Sequence, residues 1–394
     1  MTEPRVSSIG DLDLTAEQKQ LVASVERLTR RFTRAEFLRC HREGRFPEEI
    51  WQELATLGVL GITVPEAYGG AGLGIQELAL VEETLARAGV PIVLLVVSPG
   101  LGAIVVSRHG SEEQKRRWLP GTATGATKFC FAITEPDAGT NTFKIRTMAR
   151  KVPGGYSVSG QKSFITGIDV SDHMLLVART SPLDPAHRTR GLSLLVVDTK
   201  APGISRTRID TQVCKVETQW AVFLDDVFVP EGDLIGEEGR GIRALFDGLN
   251  PERILVASMC IGLGEYVLDK GVEYAKGRQV FEGPIAAYQA IQHPMALAKA
   301  HLELALLMNR RAARLFDGGE AAGPAANIAK LAAADAALEA FDISLQAHGG
   351  NGFTSDYDLL DIYSFLRLQR TAPVSREMIL NYIGEHLLGM PKSY

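Results

Sequence analysis

The feature that most restricts the fold is a change of texture near Phe129. Before it, apolar residues recur at helical spacing. "TAEQKQLVASVERLTRRFTRAEF" opens on Thr15, a capping residue, and places Leu21, Val22, Val25 and Leu28 on one face. "PEEIWQELATLG" repeats the pattern and stops at Gly58. "GIQELALVEETLARAG" is a third helix, and "SEEQKRRWLP" a short fourth with Ser111 as cap and Pro120 as stop. From Phe129 the segments "FCFAIT", "GYSVSG", "KSFIT", "HMLLVART", "GLSLLVVDT" and "AVFLDDVFVP" are short, rich in Val, Phe and Ile, and bounded by Gly, Pro and Asp. They read as antiparallel strands, with "SPLDPAHRTRG" as a surface loop between two of them. After about Asp233 long amphipathic helices return, starting at "PERILVASM", "AAYQAIQ", "AANIAKL" and "SREMILN". The expectation is an α+β chain in three parts: an N-terminal helical domain over 1–127, a middle antiparallel, barrel-like β domain over 128–233, and a C-terminal four-helix bundle over 234–394. The absence of βαβα alternation argues against a dinucleotide-binding fold. The glycines of "GGAGLGIQEL" (69–78) therefore read as the turn after "ITVPEAY" and not as a phosphate loop.

Length and composition narrow the function classes. A chain of 394 residues, 45% hydrophobic and with net charge −5, has a sizeable core and no electrostatic reason to bind nucleic acid or an anionic membrane. The N-terminus reads as neither a signal nor a transit peptide, and runs such as "VPIVLLVV" are too short to span a bilayer, so a cytoplasmic protein is expected. Cys40, Cys130, Cys214 and Cys260 lie far apart, without metal-ligand spacing, and read as buried thiols. His348, before Gly349–Gly350, reads as a basic residue near a helix C-terminus.

Two strand ends carry the chemistry of a cofactor site. "FAITEPDAGTNT" (131–142) leaves a strand for a loop rich in hydroxyls. "QKSFITG" (161–167) places an aromatic and a hydroxyl two residues apart. Together they suit a flat heteroaromatic group, with Phe164 against the ring and hydroxyls at its polar edge; each alone is equally a turn with hydroxyl caps. A third stretch, "LNPERILVA" (249–257), has two readings. Asn250 as N-cap and Pro251 as first helical residue would make Glu252 a complement to the helix dipole. The other reading is a carboxylate that moves a proton.

With "LGITVPEAYGGAGLG", "AITEPDAGTNT", "VSGQKSFITG", "GRQVFEGPIAAYQAIQ" and "LQAHGGNGF" in this order, the chain resembles the acyl-CoA dehydrogenase family over nearly its whole length. The resemblance implies non-covalent FAD held between subunits of a homodimer or homotetramer. It implies an acyl-CoA substrate and an electron-transfer flavoprotein as electron acceptor. By position, Thr134 would meet the flavin pyrimidine edge, Phe164 the ring and Thr166 the vicinity of N5. Thr140 would lie near the pyrophosphate or the substrate nucleotide. Arg278 and Phe281 would meet the FAD diphosphate and adenosine, with Gln289 nearby. Gln346, Gly349 and Gly350 would contact the FAD of a neighbouring subunit, and Ser375 aligns with the family's hydroxyl at the cofactor.

The resemblance also implies α,β-dehydrogenation of an acyl thioester, in which a carboxylate removes the α-proton. Because that proton is weakly acidic, the carbonyl must be polarised and the base held in a dry pocket. Most of the family carries the base after "GGNGF". The matching stretch here is "RLQRTAPVSREM" (367–378), and aligning Ser375 puts Pro373 at the base position. Proline supplies neither a carboxylate nor an N–H. A minority of the family, resembling isovaleryl-CoA and long-chain acyl-CoA dehydrogenases, carries the base just before an arginine at the start of another helix. That residue here is Glu252, followed by Arg253, which would order the base or pocket or else form a packing salt bridge. Two further readings keep the fold: a base-deficient partner of an active chain, and a flavin oxidase or hydroxylase.

Overall fold

The structure, a computed structural model, describes residues 13–213 and 215–393. Cys214 lies outside them. In chain order the helices are α1 (Ala16–Arg31), α2 (Arg34–Glu43), α3 (Glu48–Thr56), α4 (Ile75–Arg87), α5 (Val93–Val97), α6 (Ile104–His109) and α7 (Glu112–Ala123). Eight strands follow: β1 (Phe129–Ala132), β2 (Met148–Val152), β3 (Gly155–Thr166), β4 (His173–Arg179), β5 (Leu192–Asp198), β6 (Ile204–Ile209), β7 (Gln219–Pro230) and β8 (Leu234–Ile235). Then come α8 (Ile242–Gly277), the hairpin β9 (Gln279–Val280) and β10 (Gly283–Pro284), α9 (Gln289–Asp317), α10 (Gly323–His348), α11 (Leu360–Leu368) and α12 (Arg376–Tyr382).

The caps behave as their residue types dictate. Thr15 and Ser111 each form a capping box, with Gln18 and Gln114 reaching back to the cap amide. Two boundaries differ from expectation. The first predicted helix breaks at Phe32–Thr33 and restarts as α2, and Pro120 sits inside α7, which continues to Ala123. Pro120 cannot bond the Arg116 carbonyl, and burial of Trp118, Leu119, Thr122 and Ala123 around it carries the helix past. The apolar run 93–109 is helical, with a π-helical turn at Ser98–Ala103 between α5 and α6.

Residue contacts divide the chain into two compact units. One comprises 35–74 and 92–252. Its sheet has the order β6-β7-β3-β2-β4-β5-β8, with β1 also on β4. The expectation of a purely antiparallel region needs correction. β1 runs parallel to the first half of β4 (Phe129↔His173 to Ala132↔Leu176), and β2 meets the end of β4 in parallel at Met148↔Arg179. β1 and β2 are thus two pieces of one edge laid along β4, and the loop 133–147 is an excursion between them. β4 reads as an unbroken apolar run because both of its faces are covered. Leu175 and Val177 join Trp118, Leu119, Val105 and Phe129 on one side; Met174, Leu176 and Ala178 join Val158, Val222 and Val227 on the other.

Glu217, leading into β7, is buried and accepts the Leu94 amide at 3.3 Å. Burial pushes its carboxyl from 4.5 up to about 8, against the pull of the Leu94 and Val93 amides. In the folded chain it stays protonated where an unfolded glutamate ionises, so stability falls as pH rises from about 4.5 towards 8. Glu217→Gln keeps the acceptor and removes that loss. Denaturant unfolding should show a gain on the order of a few kcal/mol at pH 8 and little at pH 5.

The other unit comprises the described residues up to Arg34, together with 75–91 and 253–394. α10 is alanine-rich, with Ala329, Ala333, Ala337 and Ala340 buried, so its neighbours come close. A Cβ on Gly264 of α8 would stand 2.6 Å from Leu302, and one on Gly271 2.6 Å from Ser344. Asp317, ending α9, caps α4 by accepting the Ile75 and Gln76 amides at 2.7 and 3.1 Å. The expected final helix starts as α12; α11, ahead of it, was missed, and the 369–375 segment separates the two.

Candidate active site

The site in the sheet-bearing unit is built on the 133–147 excursion and the end of β3. Thr134, half-buried, gives its carbonyl to the Ser163 amide at 2.9 Å, which ties the loop to β3. β3 slips register against β7 between Lys162 and Ile165, and Phe164 sits in that slip with φ +58°. A bulky residue there is strained, and the strain turns the ring outward, 59% exposed. Two residues on, the Thr166 hydroxyl and the Gln219 amide bond each other at about 3 Å. Thr134, Phe164 and Thr166 are therefore brought onto neighbouring strand ends, while Thr140 lies farther along the loop and is exposed.

Beneath this surface lies a charge cluster that the sequence reading did not find. The Lys162 side chain is fully buried, and its ammonium donates to Glu135 Oε1 at 2.9 Å and to the Ile133 carbonyl at 3.0 Å. Glu135 also accepts the Arg146 amide at 2.7 Å and the Thr147 amide at 2.9 Å. Burial would raise the Glu135 carboxyl, but Lys162 and these donors outweigh it and hold it below the usual range. Burial lowers Lys162 to about 8 even beside Glu135. Both are charged at neutral pH. The available signal was the lone charged residue of a strand, in "GQKSF".

In the helical unit, Arg278, Phe281 and Gln289 line one surface around the β9–β10 hairpin, all exposed. Phe281 is 95% exposed with φ +55°. A fully solvated aromatic on a strained turn suits a surface that something else covers. Gln346, Gly349 and Gly350 close α10, also exposed. Tyr274 joins the two groups: its carbonyl accepts the Arg278 amide at 2.9 Å, and its hydroxyl accepts Asn351 Nδ2 at 3.0 Å. His348 stacks on the Tyr274 ring at 4.2 Å and donates Nδ1–H to the Ser344 carbonyl at 2.7 Å. It is buried, and burial lowers its pKa, helped by Lys270 and opposed by the Ser344 bond. It thus lies in the last turn of α10, as expected, but packed as a buried ring.

Gly349 has φ +56° and ψ −136°, a conformation open essentially to glycine alone, and an added Cβ there would meet nothing. Within this unit, an exposed arginine, an exposed aromatic and a bare glycine main chain are the residue types that suit a diphosphate and a flat ring. Gly349→Ala should act through backbone strain alone. Cofactor retention, read as the 450 to 280 nm absorbance ratio after gel filtration, should fall by roughly tenfold in affinity or more.

Glu252 is half-buried. The expected cap is overturned: α8 starts at Ile242, so Asn250 is no N-cap, and Pro251 lies inside a 36-residue helix. Gly248 allows the first part of that helix to seat on Val105 and Leu101, where a Cβ would stand 2.8 Å from Val105. Burial on both sides of the proline carries the helix through it despite the lost hydrogen bond. Glu252 therefore does not serve a helix N-terminus, and Arg253 follows it as a half-buried residue in the next helical position. Ser375 caps α12, accepting the Met378 amide at 3.3 Å. Pro373 is exposed in the segment before it, and Glu377, the nearest carboxylate, is exposed in the first turn of α12.

Models of the acyl-CoA dehydrogenase N-terminal, middle and C-terminal domains match residues 15–126, 130–227 and 239–388. Acyl-CoA dehydrogenase FadE12 of Mycobacterium tuberculosis is 45% identical, over 90% of this chain and 91% of that protein. Cyclohex-1-ene-1-carbonyl-CoA dehydrogenase of Syntrophus aciditrophicus is 30% identical, over 88% of this chain and 84% of that one. The structure of a glutaryl-CoA dehydrogenase from Mycobacterium smegmatis in complex with FADH2 superposes with TM-score 0.89 at 26% identity, covering 98% of this chain and 97% of that chain. The chain belongs to the acyl-CoA dehydrogenase family, and FAD is its cofactor.

Proposed function

We propose that this chain oxidises an acyl-CoA thioester to the trans-2-enoyl-CoA, with Glu252 removing the α-proton. FAD, when bound, accepts the β-hydride at flavin N5. The observation that carries the reading is that Glu252 lies inside α8 and does not cap it; aligning Ser375 on the family's hydroxyl would put Pro373, which has no carboxylate, at the usual base position. Thr134 and Thr166 bind the polar edge of the flavin and Phe164 packs on its ring. Thr140 reaches the pyrophosphate or substrate nucleotide. Arg278, Phe281 and Gln289 hold the diphosphate and adenosine, and Gln346, Gly349 and Gly350 hold the FAD of a second copy, which makes the working unit a homodimer or homotetramer. Ser375 supports the cofactor beside its capping role, and Arg253 orders the base or the substrate.

The three functional segments are 1–127, 128–233 and 234–394. An electron-transfer flavoprotein is the acceptor, in the cytoplasm. No helix among the described residues is long and apolar enough to cross a membrane. With no side chain of a glutamate at position 373, there is room at the α and β carbons for a branched or ring-bearing acyl group, in keeping with the cyclic substrate named for the Syntrophus relative.

The test is an anaerobic titration of the yellow protein with straight, branched and cyclic acyl-CoA thioesters, following flavin absorbance. Bleaching by one class supports the reading and names the substrate. Absence of bleaching with FAD bound rejects it. Pro373 supports one alternative, a base-deficient subunit, which would show itself by co-purifying with a second, similar chain.

A further inference from the structure

Two buried cations and one buried carboxylate lie under the 133–147 excursion. The first cation is Lys162, held by Glu135 and Ile133 as described above. The second is Arg179 at the end of β4, 2% exposed. Its Nε donates to the Ile145 carbonyl at 2.9 Å, Nη2 to Phe143 at 2.7 Å and Nη1 to Arg190 at 3.3 Å. Among the described residues, all its guanidinium bonds go to main-chain carbonyls. Arg146, on the same loop, is 80% exposed with its partner Asp137 at 3.6 Å, so both are screened by water. Lys162, Glu135 and Arg179 thus leave one positive charge in excess, shut away from solvent. Apolar side chains would pack the same space at less cost in desolvation. The charge is also aimed: Lys162 bonds the carbonyl of the residue before Thr134, and Glu135 is the residue after it.

We infer that Lys162, Glu135 and Arg179 act as positioning residues that set the reduction potential of the bound FAD. They fix the 133–147 loop, and their unbalanced positive charge favours the negative charge a flavin gains at its pyrimidine edge on two-electron reduction. The inference rests on the placement of the flavin against Thr134 and Phe164 proposed above. A unit charge about 10 Å away at an effective dielectric near 20 changes the reduction equilibrium by on the order of tenfold, which for a two-electron couple is about 30 mV.

The experiment is spectroelectrochemical titration of the FAD-loaded enzyme and its variants, with flavin spectrum and FAD content measured on the same samples. Lys162→Met removes a positive charge and should lower the midpoint by about 30 mV. Glu135→Gln removes the negative charge and, titrated at about pH 6 so that Lys162 keeps its proton without its carboxylate partner, should raise it by a similar amount. Arg179→Lys keeps the charge but loses the three-carbonyl grip; it should hold the midpoint while retaining less FAD. Opposite shifts in the first two variants support the inference. A purely structural anchor would weaken FAD binding in both without opposite shifts, and that result overturns it. If Lys162→Met does not load FAD, the decision rests on the other pair: a raised midpoint in Glu135→Gln with none in Arg179→Lys supports the inference, and any other pattern overturns it. Phe164→Leu is the control for the flavin's position. An unchanged flavin spectrum there removes the placement itself, whereas a changed spectrum with flat midpoints in the charge variants rejects the inference alone.

Discussion

Glu252→Gln should leave a yellow, folded protein that no acyl-CoA thioester can bleach at a useful rate. The substitution keeps shape and hydrogen-bonding capacity and removes only the ability to take a proton. Loss of a positioned general base typically costs 10²–10⁴-fold, and reduction of the flavin in single turnover should slow by about that factor. FAD content and thermal stability should stay near wild type. Binding of a non-reducible thioester, read as a flavin spectral perturbation, should persist. Glu252→Asp, which draws the carboxylate back by one methylene, should fall between the two. Glu377→Gln changes the exposed carboxylate nearest Pro373 and should reduce flavin at the wild-type rate. Full activity in Glu252→Gln would reject Glu252 as the base and send the search for it elsewhere in this chain.

Much of the architecture was legible because it rests on local rules. Capping boxes at Thr15 and Ser111 and the period of α3, α4, α9 and α10 depend on neighbours in sequence. What was not legible depends on contacts made at long range. Pro251 and Pro120 looked like boundaries by local chemistry, yet packing carries a helix through each. β2 was missed because "MARKV" is short and carries two consecutive exposed charges, Arg150 and Lys151, and only β3 and β4 give it partners. The parallel pairing of β1 with β4 follows from where the 133–147 loop returns the chain, which no spacing encodes.

The candidate site shows the same division. Residues that face outward, such as Phe164, Arg278, Phe281 and Gly349, could be read from motifs. Those buried beneath, such as Lys162, Arg179 and Lys330, are lone cations among uncharged residues. A sequence shows such a residue as an anomaly and cannot say which carbonyls it meets.

Lys330 offers the largest stability effect. It lies on α10, 1% exposed, and its ammonium donates to the Gln369 and Val374 carbonyls on either side of Pro373, the second at 2.7 Å. One side chain thus closes the segment between α11 and α12. A second handle lies farther along the helix, where Asp335 pairs with Arg370 at 2.7 Å and Arg376 at 3.1 Å, half-exposed. The two should not be equal. Lys330→Met leaves the carbonyl acceptors in an apolar setting without their charged donor, at about 1.5–3 kcal/mol for each bond, or roughly 3–6 kcal/mol together. Asp335→Asn acts on screened pairs and should cost about 1 kcal/mol or less. In a thermal melt the first should lower Tm by roughly 5–15 °C and the second by only a few. Function should follow the same order. The freed segment carries Val374, beside the position that normally donates to the thioester carbonyl, so Lys330→Met should raise KM for acyl-CoA more than it lowers flavin content. Equal effects from the two variants would mean that the segment is held by its ion pairs and that burial of Lys330 contributes nothing particular to the site.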